Sequence, residues 1–412
     1  MTYSTTICIF VNQNTKDMIK RNIYKHLDKA INTRQIIAIT GLRRSGKTTT
    51  IKYLSGNIKS NNKIYLDLER MEYRKIFQDE NYGNIIKALE IYGIDLSTKS
   101  WIFLDEIQLV KNIGSVLKYL YDNYPIKFVV TGSSSFYMKG VLSESLAGRK
   151  ILFDLWPLSF DEFLRFKGEK VVILDSDFQA TTTFYIDKYK AYYEEYIEYG
   201  GFPEIALLNS HNEKMDLLKD IFDSFLKLDI LFLSDFTKTE ELYKLITLLS
   251  ARTGSKIDYT KLSGISGINR HKVKDYLLFL EKTFFIRIIR PYVLNRDREI
   301  ALQPKIYFTD NGLLKIAGQL SSGALFENAI ANQLSLKGEL AYYAKRTGQE
   351  IDFILNKETA IEVKETPSSG DLKTLLRRSK SINLTSSALI GRHTPPGKFS
   401  DFVWGGAIMD KR

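Results

Sequence analysis

The sequence predicts an α/β chain with a parallel sheet near the N-terminus, a helical middle and a second α/β stretch at the C-terminal end. Three observations predict it. Between residues 35 and 132, short β-type runs alternate with amphipathic segments, the pattern of βαβ units. Two of those runs, WIFL and FVV, are apolar throughout, as in strands covered on both faces. The first run leads directly into a glycine-bounded loop and then a helix, an order that lets backbone N–H groups converge on an anion.

Length and composition set the outer bounds. The chain has 412 residues, too many for one ordinary core, and implies two to four domains. Hydrophobic residues at 44% and aromatics at 12% are globular proportions and argue against long disorder. A net charge of +11 favours polyanionic partners, the bland alternative being a solvated, Lys-rich surface. One cysteine, Cys8, excludes an intrachain disulfide and a thiolate zinc site, and four histidines argue against a His-based metal cluster. The N-terminus lacks a basic region followed by an apolar run, and no stretch approaches the roughly 20 apolar residues that span a bilayer. A cytoplasmic chain without a membrane partner is expected.

The strands are expected at IIAIT (36–40), KIYLDL (63–68), WIFLD (101–105) and KFVVTG (127–132). After the first, Gly41-Leu-Arg-Arg-Ser-Gly46-Lys47-Thr48 fits G-x-x-x-x-G-K-[ST] at every position. Its glycines let the backbone curl so that N–H groups point at phosphate oxygens at the positive end of the next helix. Lys47 has the reach for the β- and γ-phosphates, and the Thr48 hydroxyl can ligate magnesium. Arg43, Arg44, Ser45, Gly46 and Thr49 complete the expected contacts to ATP. The third strand ends in Asp105-Glu106, two carboxylates at the edge where α/β sheets bind ligands. Asp105 is expected to hold Mg2+, and Glu106 to orient and activate the attacking water. The fourth strand ends in Thr131-Gly-Ser-Ser-Ser135, whose small hydroxyls either contact the γ-phosphate or cap the next helix. Arg149 is either an arginine finger, within the chain or toward a neighbouring subunit, or a surface ion-pair partner.

The ordered segments GLRRSGKT, FLDEIQ, VTGSSS, ESLAGR, PLSFDEF and GGFPE resemble a family of prokaryotic AAA+-type ATPases whose C-terminal domain has long been described only as of unknown function. The resemblance spans nearly the whole chain. It implies an NTPase of the additional-strand, catalytic-glutamate type, with Glu106 in the catalytic role and Ser133 or Ser134 at the sensor position. Trp156 and Pro157 in LWPLSF, and the GGFPE turn at Gly200–Glu204, read as structural. Relatives of this type often assemble into oligomers, while the sequence carries no unambiguous arginine finger.

Four regions follow: an ATPase domain over 1–165, a helical connector over 166–235, a winged helix-turn-helix over 236–300 and a nuclease-like domain over 301–412. In the third, Asp258–Ser263 reads as a short helix, Gly264–Asn269 as a turn, Arg270–Phe284 as a second helix and FFIRIIRPY as a β-type run. Ten Lys/Arg face five Asp/Glu across 256–299. Arg270, His271, Lys272 and Lys274 begin the candidate recognition helix, which points to DNA, the alternative being a lid or docking surface.

At the C-terminal end, LFENAIANQL at 325–334 is an amphipathic helix carrying Glu327. Then come the strand Gln349–Leu355 with Asp352, a turn at Asn356–Thr359, and the strand Ala360-Ile-Glu362-Val-Lys364. Strand alternation puts Glu362 and Lys364 on one face, with Asp352 on the neighbouring strand of the hairpin. Asp352, Glu362 and the Val363 carbonyl are a hard-donor set for Mg2+ or Mn2+, with Glu327 completing the shell. Lys364 is placed to orient water or stabilise charge on a phosphate. The order helical Glu, Asp, E-x-K resembles the PD-(D/E)XK nuclease superfamily, especially its versions resembling Holliday-junction resolvases, over about the last hundred residues. The resemblance implies either a nuclease or a binding module that has lost activity. Asp310, upstream in YFTD, reads as a helix cap.

Overall fold

The computed structural model describes residues 18–132, 146–172, 178, 180–229, 239–293, 303–345 and 348–410. They group into two compact units, 1–156 and 157–412. The division falls inside LWPLSF, between Trp156 and Pro157, a few residues before the boundary expected at 165. Residues 157–412 cluster as one unit.

The first unit is built on five parallel strands: β1 (Ile36–Thr40), β2 (Lys63–Asp67), β3 (Ser100–Asp105), β4 (Ile126–Gly132) and β5 (Lys150–Asp154), in the order β2-β3-β4-β1-β5. β4 lies between β1 and β3, the additional strand that the resemblance implies. Every residue of β1 and β4 is buried, which explains the apolar runs IIAI and FVV at their centres. One set of side chains (Ile36, Ala38, Ile102, Leu104, Phe128, Val130) packs on one face, and Ile37, Ile39, Phe103 and Val129 on the other. β5 was not expected, because its run KILFD is short and flanked by charge. Its register against β1 runs from Ile36↔Lys150 to Thr40↔Asp154. Lys127 fixes the entry edge of the sheet by donating to the carbonyls of Ala30 (2.8 Å) and Thr33 (2.8 Å) and to that of Gln35. Burial pulls its ammonium pKa down to about 8.

The second unit carries a seven-stranded sheet. Its strands are β6 (Ile286–Pro291), β7 (Lys305–Phe308), β8 (Leu340–Ala344), β9 (Glu350–Leu355), β10 (Thr359–Lys364), β11 (Ser386–Gly391) and β12 (Val403–Trp404), in the order β12-β11-β10-β9-β8-β6-β7. β6 pairs antiparallel with β7 on one side and parallel with β8 on the other, so the sheet runs through the division expected at residue 300. The helices Thr239–Ser250, Tyr259–Ser266 and Arg270–Lys282 precede β6. An aromatic core of Phe160, Phe163, Tyr193, Tyr196, Phe326 and Trp404 joins the helices Phe160–Phe166, Thr183–Tyr199 and Ser322–Ser335 to the C-terminal end.

GGFPE is structural, as expected. Leu158 N–H donates to the Gly201 carbonyl (2.6 Å), and Gly201 N–H donates to Asp310 Oδ2 (2.7 Å). Gly200 has φ +77°, and a Cβ there would sit 2.2 Å from Asp310 Oδ1. Asp310 also accepts from Gly312 N–H (2.8 Å) and Leu313 N–H (3.2 Å), capping the helix Asn311–Ala317. Among the described residues no helix is long and apolar enough to cross a membrane.

Candidate functional site

The loop after β1 curls as the sequence requires. Gly41 has φ +150°, Arg44 +59° and Gly46 +99°, with Gly46 capping the helix Lys47–Asn57. Gly41 has no room for a side chain, since a Cβ would lie 2.2 Å from the Leu155 carbonyl oxygen. The buried Lys47 ammonium turns back on the loop and donates to the carbonyls of Gly41 (3.1 Å) and Leu42 (2.8 Å). The loop therefore presents the carbonyls of Gly41 and Leu42 inward to its own lysine, and Ser45 N–H closes it on the Leu42 carbonyl (3.3 Å). Thr48 and Thr49 are exposed in the first helical turn, Arg44 is exposed and Arg43 half-buried. Ser45 is buried, and its carbonyl accepts from Arg21 (3.0 Å), which ties the loop to the segment before β1.

Asp105 ends β3 at 2% exposure. Its Oδ2 accepts from the Tyr65 hydroxyl (2.9 Å) on β2, and its Oδ1 accepts from the Thr131 hydroxyl on β4. Thr131 Oγ1 also accepts the Glu106 N–H (3.1 Å), so one buried hydroxyl joins both acidic residues. Glu106 stands in the left-handed region at φ +59°, and its carboxylate accepts from the Gln108 amide. Burial, then the Asp105 charge and its hydrogen bond, push the Tyr65 hydroxyl far above its ordinary value, so it serves as a neutral donor. Asp67, in register with Asp105, and Glu69 add two more carboxylates. Burial raises the Glu69 pKa, the Glu106 and Asp67 charges raise it further, and Arg43 opposes them. Glu69 thus feels both the phosphate loop and the acidic strand tip, which share one edge of the sheet.

Sequence reasoning named Lys47, Thr48, Asp105 and Glu106, and the fold gathers them at that edge. It missed Tyr65 and Gln108, and it read Thr131 among the small hydroxyls for a γ-phosphate or a helix cap, whereas Thr131 joins Asp105 to Glu106. Strand alternation puts Tyr65 on the face of Asp105 once the β2–β3 register is known, and that register is not written in either strand alone. Ser133 and Ser134 lie outside the described residues.

Arg149 requires a correction. It immediately precedes β5, and its carbonyl accepts from Ile36 N–H (2.8 Å), at the strand ends opposite the phosphate loop. One five-residue strand, about 16 Å of rise, separates that edge from Gly41. Its guanidinium instead grips Asp122 at 2.8 and 3.1 Å. An arginine finger reaching its own phosphate loop is ruled out by this placement, and the surface ion pair is what the fold builds.

In the second unit, the β9–β10 register, continued by one residue, sets Asp352 opposite Glu362. Asp352 Oδ2 accepts the Val363 N–H (2.8 Å). Glu362, 7% exposed, receives Lys364 Nζ (2.8 Å) on Oε1, with Arg378 3.6 Å from the same atom. Its Oε2 is buried without a hydrogen-bond partner. Burial raises the Glu362 pKa, and the Asp352 charge adds to it. Burial works to lower the Lys364 pKa but is outweighed by Glu362 and Asp352, and the ammonium ends above its ordinary value. Glu327 accepts from the Tyr307 hydroxyl (2.7 Å). Burial and then repulsion from Asp352 lift its pKa to about 7. Among the described residues, no group of three or more His, Cys, Asp or Glu side chains is arranged to hold a metal ion. The shell expected from Asp352, Glu362 and Glu327 together is therefore not assembled, because Glu327 is turned to Tyr307.

Asn269 caps the helix Arg270–Lys282 through His271 N–H (2.8 Å), after Gly267 closes the preceding helix at φ +74°. Arg270, His271 and Lys274 are exposed. Lys272 is engaged by Glu241 (2.6 Å), and Lys274 lies over the Tyr259 ring at 5.6 Å.

Comparison with known proteins agrees with the first unit. The AAA domain family matches residues 33–164, and two domains of unknown function, DUF8612 and DUF4143, match 190–323 and 322–402. A Haemophilus influenzae protein described only as uncharacterized is 29% identical over 84% of this chain and 86% of its own length. An uncharacterized Methanocaldococcus jannaschii protein is 27% identical over 85% of this chain and 80% of its own. Among solved structures, a Walker-type ATPase of Pyrococcus abyssi is 12% identical over 73% of this chain and 96% of that one, with a TM-score of 0.43. The AAA match covers β1 through β5, the phosphate loop and the acidic strand tip: residues 33–164 carry an AAA-type domain.

Proposed function

We propose that this chain hydrolyses ATP and acts on DNA, with a divalent-metal nuclease site in its C-terminal part. The observation that carries the ATPase half is the joining of Asp105 and Glu106 through Thr131 on the strand beside the phosphate loop. Lys47 exchanges the Gly41 and Leu42 carbonyls for β- and γ-phosphate oxygens. Glu106 orients the attacking water and takes its proton. Thr48 and Asp105 are the residues that would hold Mg2+, which when bound supplies charge neutralisation at the phosphates.

The DNA half rests on helices Tyr259–Ser266 and Arg270–Lys282 with the β6–β7 pair, read as a winged helix-turn-helix. With Lys272 occupied, Arg270, His271 and Lys274 are the residues for phosphate or groove contacts. The nuclease reading is supported by Glu362 Oε2, a buried carboxylate oxygen without a partner facing Asp352 across the hairpin. Asp352, Glu362 and the Val363 carbonyl would hold Mg2+ or Mn2+, which supplies Lewis-acid polarisation of a phosphodiester. Lys364 then offsets charge developing on the phosphate. The test is cleavage of linear and branched DNA, with and without ATP. The wild type is expected to cut with either metal, and Asp352→Ala and Lys364→Ala are expected to be inert while still releasing phosphate from ATP. No cleavage of any DNA shape by the wild type refutes the nuclease reading.

One observation favours a second reading. Lys364 and Arg378 both converge on Glu362 Oε1, so that carboxylate's charge is already compensated within the protein. In this reading the C-terminal part is a binding platform, and ATP switches capture or release of DNA or a protein partner. Partner affinity then differs between ATP and ADP and is unchanged by Asp352→Ala. Equal affinity in both nucleotide states removes this reading.

A further inference from the structure

Glu106 is held in a backbone conformation that a non-glycine residue keeps only when its surroundings impose it, φ +59° and ψ +47°. Two contacts impose it. The Glu106 N–H donates to Thr131 Oγ1 (3.1 Å), which fixes the backbone to β4. The Gln108 amide donates to Glu106 Oε2, which fixes the side chain. Gln108 lies in the short turn Ile107–Leu109, closed by Leu109 N–H on the Glu106 carbonyl (3.2 Å), and is only 6% exposed. Its amide is thus held by the turn and by burial together.

We propose that Gln108 is a positioning residue for ATP hydrolysis: its amide holds one carboxylate oxygen of Glu106 so that the other, Oε1, faces the attacking water. This rests on the reading of Glu106 as the general base. The residue type suits the task. A lysine or arginine here would neutralise the carboxylate and weaken it as a base, whereas an uncharged amide orients it and leaves its charge intact. A carboxyl group without this hold keeps its freedom about the side-chain torsions, and a base pointing the wrong way on most encounters lowers turnover, not nucleotide affinity. The charged groups around this pair are Asp105 on β3, Asp67 and Glu69 after β2, and Arg43 on the phosphate loop. None of them belongs to the turn that carries Gln108.

The test uses the full chain with two substitutions, Gln108→Met, which keeps the length and removes the donor, and Gln108→Glu, which keeps the shape. Magnesium-dependent phosphate release gives kcat and KM, and titration with a fluorescent ATP analogue gives affinity. For Gln108→Met, kcat is expected to fall roughly 10- to 100-fold with affinity within about threefold of wild type. Gln108→Glu is expected to be equally slow at about pH 8. Its rate relative to wild type should then climb toward about pH 6, because a protonated carboxyl regains an O–H donor for Glu106. A packing role alone gives no such climb. A Gln108→Met kcat within threefold of wild type overturns the proposal. So does a flat Gln108→Glu ratio across that range, or a parallel loss of ATP affinity in both variants. Glu106→Gln separates the two levels. If it hydrolyses ATP like the wild type, the general-base reading falls; if it is inactive while Gln108→Met keeps its rate, only the present inference falls.

Discussion

Replacing Lys47 by alanine tests the phosphate loop with a magnitude that the structure supplies. The ammonium donates to two neutral acceptors, the carbonyls of Gly41 (3.1 Å) and Leu42 (2.8 Å). A bound triphosphate offers anionic oxygens in their place. Because the ammonium is charged in both states, either bond lies in the charge-assisted range of about 1.5–3 kcal/mol, with an anionic acceptor at its upper end. The exchange therefore gains about 1–1.5 kcal/mol per bond, or about 2–3 kcal/mol for two. Lys47→Ala forfeits that gain, which corresponds to a loss of affinity of roughly 30- to 150-fold. Calorimetric titration with Mg-ATP reads it directly, and a melting curve of the same sample checks that the domain is folded. An affinity within threefold of wild type, in a folded variant, would refute the reasoning.

Two further outcomes follow from the same coordinates. Gly41→Ala brings a Cβ to 2.2 Å from the Leu155 carbonyl oxygen at a φ of +150°, so the loop must open; a cost of roughly 1–3 kcal/mol is expected, read as a lower melting temperature together with weaker ATP binding. Asp310 carries a pH signature, since burial raises its carboxyl pKa from 3.8 to about 6. The folded chain then keeps a proton that the unfolded chain loses, so the stabilisation from Asp310 is complete below its unfolded pKa and is lost as pH rises through about 6. Over that whole window the change is about 3 kcal/mol. Urea unfolding of wild type and Asp310→Asn from about pH 3 to about pH 7 isolates it, with the wild-type advantage shrinking as pH rises. A difference independent of pH would contradict it.

The nucleotide site was legible because its chemistry is local. The loop Gly41–Thr48 and the strand tip Asp105-Glu106 each announce themselves within eight residues, and β1 fell on the residues expected of it. Contacts that depend on register stayed hidden. Tyr65 reaches Asp105 only because β2 pairs with β3 as Asp67↔Asp105. Thr131 joins Asp105 to Glu106 only because β4 inserts beside β3. Gln108 was quoted in FLDEIQ and given no role, since nothing in the string shows that Glu106 adopts φ +59° and turns its carboxylate to meet it. Arg149 stayed open between a finger and an ion pair for the same reason: its sequence neighbourhood does not say which edge of the sheet it occupies, and the β1–β5 register sets it at the edge opposite the phosphate loop.

At the other end, the hairpin with Asp352, Glu362 and Lys364 followed from strand alternation and one tight turn. Joining β6 and β7 to β8 depends on pairing between distant segments, which alternation cannot supply. Glu327 illustrates the limit of order along the chain. Its helix is where the sequence put it, while its carboxylate turns to Tyr307.

Glu106→Gln puts the central claim to the sharpest trial, because amide for carboxylate changes the base and almost nothing of its shape. With Mg-ATP saturating, the wild type is expected to release phosphate steadily, and Glu106→Gln to bind ATP within a few-fold of wild type yet release phosphate at least about 100-fold more slowly. Steady release by Glu106→Gln at the wild-type rate, or none by the wild type itself, would contradict it.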